Sequence, residues 1–163
     1  MQAMEHFDLL ADVSTMTLAT RGAQGEPHAC AVYFAADDKN RLYFFSDPQS
    51  QHGQDLAGDP RSAVSIYPEC LHWREIRGIQ MRGLASQVPP GAAWEAGWES
   101  FKAKFPFVAE LEEVVAGNVL YVFAPQWIRL VDNRLGFGYK QEWYLEKSPR
   151  RMPSPGSPRS GTR

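Results

Sequence analysis

The stretch from Glu75 to Val88, EIRGIQMRGLASQV, constrains the fold more than any other part of the chain. Ile76, Gly78, Gln80 and Arg82 alternate with Arg77, Ile79, Met81 and Gly83, the period of two that a β-strand imposes on its side chains. A strand this long carries N–H and C=O groups along both edges and needs a neighbour on each. Pro89 and Pro90 stop it. The chain must therefore supply other strands, and it does. Thr15–Thr20, His28–Ala35 and Arg41–Ser46 are short β-rich runs separated by the turns RGAQGEP and DDKN. Loops that short permit only hairpins, so these three runs are expected to form an antiparallel meander. Ala63–Tyr67, Asn118–Ala124, Gln126–Val131 and Gln141–Leu145 add further strands. Seven or eight antiparallel strands would curl into a barrel, which removes exposed edges.

Three segments depart from this pattern. Residues 4–13 place Phe7, Leu10 and Val13 on one stripe of a short opening helix. Residues 47–59 read as a loop entering a short helix that ends at Pro60. Residues 91–105 set Trp94, Trp98, Phe101 and Phe105 at spacings of four, three and four, one face of an amphipathic helix. Pro106 breaks it, and a second helical segment runs from Phe107 to Val115. The expected fold class is therefore mainly β, an antiparallel barrel with short helices.

Charge is unevenly distributed. The net charge of the 163-residue chain is −2, yet the segment from Ser148 to Arg163 holds four Arg and no acid, leaving 13 basic against 19 acidic groups in residues 1–147. A body of that sign lacks the clustered cations that phosphate backbones require, so nucleic acid is not an expected partner. Residues 148–163, with four Pro and four Ser, are expected to be a disordered tail following one domain at 1–147. No run of 18 apolar residues is present, and the N-terminus lacks the basic start and apolar stretch of a secretory signal. A cytoplasmic protein without a membrane partner is expected. Two cysteines, Cys30 and Cys70, are too few for a disulfide scaffold.

Spacing alone yields little chemistry. There is no P-loop, GxGxxG, GxSxG or HExxH string. His28-x-Cys30 and Cys70-x-His72 contain four zinc-ligand types, but a period-two pair on a strand is unlike a CxxC knuckle, and buried cysteines beside ordinary histidines are the expectation. Leu135-Gly136-Phe137-Gly138 suits a tight turn better than a phosphate cradle. An aromatic content of 12%, with five Trp, points to a planar ligand or a partner subunit.

Several strings, in order, resemble the pyridoxamine 5'-phosphate oxidase-like, FMN-binding split-barrel superfamily. They are Met16–Thr20, the turn ending Gly25-x-Pro27, the strand His28–Phe34, and Arg41–Ser46 followed by Ser50-Gln51-His52 and Gly58–Arg61. Ile76–Ala85 and the C-terminal strings Phe105–Ala109 and Asp132–Trp143 complete the series. The C-terminal strings resemble an uncharacterised branch of that superfamily. The resemblance covers about residues 10–145 and implies a homodimeric split barrel with FMN at the subunit interface. It implies that Val32 and Tyr33 line the flavin ring, with Phe45 and Ser46 beside the ring and ribityl chain. Ser50, Gln51 and His52 would face the phosphate, and Lys140 and Trp143 would reach across from the partner chain. It also implies an FMN-dependent oxidoreductase with a small-molecule substrate or a reductant such as NAD(P)H. No catalytic residue and no metal are implied. The alternatives are a non-catalytic flavin- or haem-binding module, with His28 or His72 available as an axial ligand, and a dimer whose site has decayed. The chain departs from the oxidase pattern where Cys30 and Ala35 replace Arg and Lys, and Gln51-His52 replaces Arg-Lys. Ionised donors bind phosphate more strongly, so weaker FMN binding and no vitamin B6 oxidation are expected. His52 would help most when protonated.

Overall fold

The structure is a computed structural model and describes residues 5–145. The opening helix is α1 (Glu5–Asp12). Strands β1 (Thr15–Arg21), β2 (Pro27–Tyr33), β3 (Ala35–Ala36) and β4 (Leu42–Ser46) follow. Helix α2 (Gln51–Gly58) leads to β5 (Arg61–Ile66) and the long β6 (Arg77–Gln87). Helices α3 (Ala92–Lys104) and α4 (Glu112–Ala116) then precede β7 (Val119–Asp132) and β8 (Lys140–Tyr144). The tail expected at 148–163 lies outside the described residues.

All strand pairs are antiparallel, in the order β2-β1-β5-β6-β7-β4-β3, with β8 added to β7. The two ends of this path, β2 and β3, are consecutive in the chain. One bent segment from Pro27 to Ala36 therefore closes the sheet on itself as a curled half-barrel, the split β-barrel architecture. This corrects the expected meander. Phe34 breaks the second run: its side chain is fully buried and its N–H turns to Ser14 O at 3.2 Å. Only Ala35 and Ala36 beyond it pair with β4, while Pro27–Tyr33 pairs with β1.

A second correction concerns Asn118–Ala124 and Gln126–Val131, which form the single strand β7. Pro125 does not interrupt it because β4 pairs only as far as Phe123 and β8 begins at Trp127. The proline sits opposite Gly83, beside a register shift at Arg82/Gly83, while its other edge has no strand partner. The helical segment after Pro106 is also two pieces, a 3-10 turn at Pro106–Glu110 and then α4.

The barrel interior holds Met16, Leu18, Phe34, Leu42, Phe44, Ile66, Ile79, Met81, Tyr121 and Phe123, each no more than 1% exposed. The apolar run in β4 is explained by cover on both faces. Leu42 and Phe44 enter the barrel, while Tyr43 and Phe45 meet the clusters that include the aromatic stripe of α3. Gly97 permits that contact, since a Cβ there would lie 2.5 Å from the Tyr43 ring.

Candidate functional site

A cavity of about 410 Å³ opens where β2, β4, α2 and α3 meet. Val32 and Tyr33 from β2, Phe45 and Ser46 from β4, and His52 from α2 line it. The sequence places all five at the site, and the structure brings them together. Phe101, Val115 and Asn118 complete the wall, with Ala31 and Asp47 at the margin.

The apolar side is aromatic. Phe45 meets Trp98 edge-on at 5.7 Å and Phe101 at 5.2 Å. Tyr33 meets Phe105 at 5.3 Å and Phe107 at 6.4 Å, both edge-on. Tyr33 and Phe107 remain about half exposed, so the rim presents aromatic surface to solvent. Edge-to-face contacts fix ring orientation beyond what area burial alone gives.

The polar side is the start of α2. Ser50 is the N-cap: its Oγ accepts from Gly53 N at 3.2 Å and donates to Asp47 O at 2.6 Å. His52 Nε2 hydrogen-bonds Ser46 Oγ and lies 3.2 Å from Ser50 Oγ. Burial pushes the His52 imidazole below its ordinary pKa, and the negative charge of Asp55 only partly opposes this. The ring is therefore neutral at pH 7. The Ser46 hydroxyl, the His52 imidazole and the positive end of a helix dipole meet at one end of an aromatic cleft, while Ser50, occupied as the N-cap, lies behind His52 and outside the lining. Among the described residues no Lys or Arg lines the cavity, and Asp47 contributes an acid.

Gln51 takes another direction. Its Nε2 donates to Asp55 Oδ1 at 2.9 Å, and it lines a separate polar cavity with Gln24, Gln54 and Asp59. Asp55, which the sequence reading did not single out, is the anchor of α2. It is 6% exposed and also accepts from Thr20 Oγ1 at 2.7 Å and meets His28 Nδ1 at 2.7 Å. Burial would raise its pKa, but hydrogen bonds from Thr20, Gln51 and His28 together hold it below the ordinary carboxylate value. The sequence carries no clear signal for it, since an acid in the polar helix QHGQDLAG reads as solvated until β1 and β2 bring Thr20 and His28 to it.

Lys140 and Trp143 lie elsewhere in this chain. Lys140 pairs with Val131 and Trp143 with Ile128 on β7, whereas Ser46 at the cavity pairs with Val119. From Val119 to Val131 the strand path is roughly 40 Å. Lys140 is exposed, and Trp143 packs against the barrel core. His28 is engaged by Asp55, and His72 stacks on Trp73 in the loop before β6. Cys30 is half-buried, with its thiol pKa pushed up by burial and then by Asp55. Cys70 is exposed, against the expectation of burial, because it sits in the loop after β5 rather than on a strand.

The family model described as pyridoxamine 5'-phosphate oxidase matches residues 3–132. The chain belongs to the pyridoxamine 5'-phosphate oxidase family. A pyridoxine/pyridoxamine 5'-phosphate oxidase of Polynucleobacter asymbioticus is 38% identical over 76 residues, covering 46% of this chain and 34% of that protein. The chain thus matches about a third of that relative's length. A haem binding protein of Mycobacterium smegmatis has a similar fold, with a TM-score of 0.71 at 21% identity over 87% of this chain and 57% of that one. A FAD-binding protein of Mesorhizobium loti gives a TM-score of 0.63 at 18% identity over 78% of this chain and 90% of that one. These likenesses in family and fold agree with the split barrel. Among the described residues no helix is long and apolar enough to cross a membrane.

Proposed function

We propose that the chain is an FMN-binding oxidoreductase acting on a small molecule, and that it works as a homodimer. The observation that carries this reading is the convergence of Ser46 and His52 on the end of a cleft walled by Tyr33, Phe45 and Phe101, with Ser50 hydrogen-bonded behind His52. An aromatic wall suits a flat ring, and hydroxyl, imidazole and helix N-terminal donors suit its phosphate. The described residues fit FMN in kind but not in charge, because among them a neutral imidazole and no Lys or Arg face the anion. Lys140 of a second chain is the proposed source of the missing cation; Trp143, on the opposite face of β8 and packed on its own barrel, would support that strand rather than touch the ligand. The half-exposed Tyr33 and Phe107 at the rim support cover by that second chain.

When bound, the flavin would supply hydride or electron transfer; this chain's residues would bind it, orient it and exclude water. Ser46 would donate its hydroxyl hydrogen to the phosphate, Ser50 would do so on releasing Asp47 O, and His52 would donate from Nε2 in the tautomer that carries hydrogen there. The aromatic wall would hold the ring out of solvent. Membership of the oxidase family supports flavin, as does the FAD-binding protein of similar fold.

The test is a titration of purified protein with FMN, followed by quenching of flavin fluorescence, and then anaerobic mixing with NAD(P)H. Saturable quenching that Ser46→Ala and His52→Ala weaken, with bleaching of the flavin band by the nicotinamide, supports the proposal. Absence of quenching refutes it. A second reading, a haem-holding module, is supported by the likeness in fold to the haem binding protein. It predicts a Soret band on adding haem and no flavin reduction.

A further inference from the structure

The two serine hydroxyls at the end of the cleft are held differently. Ser50 Oγ gives its hydrogen to Asp47 O at 2.6 Å, its shortest contact, and accepts from Gly53 N at 3.2 Å, so it is committed to the helix cap. Ser46 Oγ has two partners, His52 Nε2 and the more distant Ser50 Oγ at 3.4 Å. The hydrogen of Ser46 therefore goes to the imidazole. In that arrangement Nε2 accepts and Nδ1 carries the ring hydrogen, a tautomer assigned from the hydrogen-bond network.

A serine hydroxyl donating to a neutral imidazole is the pairing that activates an oxygen nucleophile. Local chain geometry sets it up. Ser46 is the last residue of β4 and His52 the second of α2, and the turn between them is closed by Ser50 N donating to Asp47 O at 3.0 Å. Both side chains line the cavity of about 410 Å³, and Ser46 is 8% exposed, so the pair meets the cleft rather than bulk solvent.

The surroundings suit proton transfer. Burial keeps the imidazole neutral and able to accept a proton, while the negative charge of Asp55 favours the imidazolium once it has formed. Asp55 is itself held ionised by its three donors. The start of α2 adds the partial positive charge of its first amides, which suits an oxyanion as it suits a phosphate.

We infer that Ser46 and His52 form a nucleophile–base pair that hydrolyses small aryl carboxylate esters in the cleft when no flavin fills it. Ser46 Oγ bonds to the ester carbonyl carbon as its proton passes to His52 Nε2. The carbonyl C–O bond to the aryl oxygen breaks, and the imidazolium gives that proton to the leaving phenoxide. Water then attacks the acyl-serine, and His52 takes a proton from it. That proton returns to Ser46 Oγ as the acyl C–O bond breaks, releasing the carboxylic acid. Tyr33, Phe45 and Phe101 seat the aryl group.

The test is release of p-nitrophenolate from p-nitrophenyl acetate by the full chain without added flavin. The expected result is saturable turnover whose kcat/KM falls as pH drops below 6.5, because the protonated imidazole cannot act as base. Ser46→Ala and His52→Ala should each lower kcat/KM about a hundredfold or more. A second measurement needs no variant: diisopropyl fluorophosphate should label the unaltered chain at Ser46, located by peptide mass spectrometry. Three results overturn the assignment: no turnover above the solution rate, turnover that Ser46→Ala leaves intact, or labelling that spares Ser46. The activity needs the cleft and not the cofactor, so flavin quenching by the same preparation is a separate readout. Quenching without hydrolysis overturns this activity alone, and hydrolysis without quenching overturns the flavin reading alone.

Discussion

Replacing Asp55 by Ala tests how the site is held. The carboxylate receives three donors, from Thr20 and His28 at 2.7 Å and Gln51 at 2.9 Å. Hydrogen bonds to a charged group contribute about 1.5–3 kcal/mol each when their donors cannot regain water. Thr20 is 5% exposed and cannot, whereas His28 and Gln51 reach solvent and recover most of their loss. The expected cost is therefore about 3–4 kcal/mol, below the sum of three full bonds. Asp55→Asn keeps the shape and one acceptor oxygen for Thr20 and His28 but loses the charge and turns an amide N–H2 toward Gln51, for about 1–2 kcal/mol. The assay is urea denaturation, with the midpoint falling at unchanged slope. The sign with pH follows from the lowered pKa. The Asp55 contribution is complete above the unfolded carboxyl value, near 3.9, and is lost as pH falls through the folded value. Asp55→Asn should therefore flatten the acid limb of the stability profile. The Ala variant should also weaken FMN binding, because α2 carries Ser50 and His52 to the cleft. A cost below about 1 kcal/mol for Asp55→Ala would refute the claim that this carboxylate anchors the helix.

His52 should titrate below 6.5 by NMR in the free protein and move upward on adding FMN; a free value above 6.5 contradicts the burial described. Because the unfolded imidazole then binds more protons, stability should fall as pH drops through 6.5. Lys104 donates to the carbonyls of Leu10 and Val13 at 2.7 Å each, while burial lowers its pKa to about 8. Its side-chain resonances should titrate near pH 8, and stability should rise with pH from there toward the unfolded lysine value; a midpoint near 10.5 refutes this. Gly97→Ala should destabilise by about 1–3 kcal/mol through overpacking on Tyr43, measured by denaturation; an unchanged midpoint would show that α3 does not need that close approach.

Much of this architecture is legible in residues that obey local periodicity. The alternation in Arg77–Gln87, the apolar run of β4 and the aromatic spacing of α3 each identify their element without tertiary information. The errors arise where a tertiary contact overrides a local rule. Pro125 reads as a strand end but lies inside β7, because one edge of that strand is left open between β4 and β8. The second run reads as one strand, yet burial of Phe34 bends it and closes the barrel. At the site, Val32, Tyr33, Phe45, Ser46 and His52 were placed through family resemblance, whereas Phe101 and Val115 were visible only as helix residues. Whether they face solvent, core or cleft depends on how α3 and α4 dock. Gln51 illustrates the limit of string matching: it stands next to His52 but turns to Asp55.

The central claim is that two chains enclose flavin in the cleft of Tyr33, Phe45 and His52. Native mass spectrometry of the protein equilibrated with FMN measures this directly. The account predicts a species of two chains carrying two FMN molecules, weakened by Lys140→Ala. A single chain that retains no FMN at any concentration would contradict it.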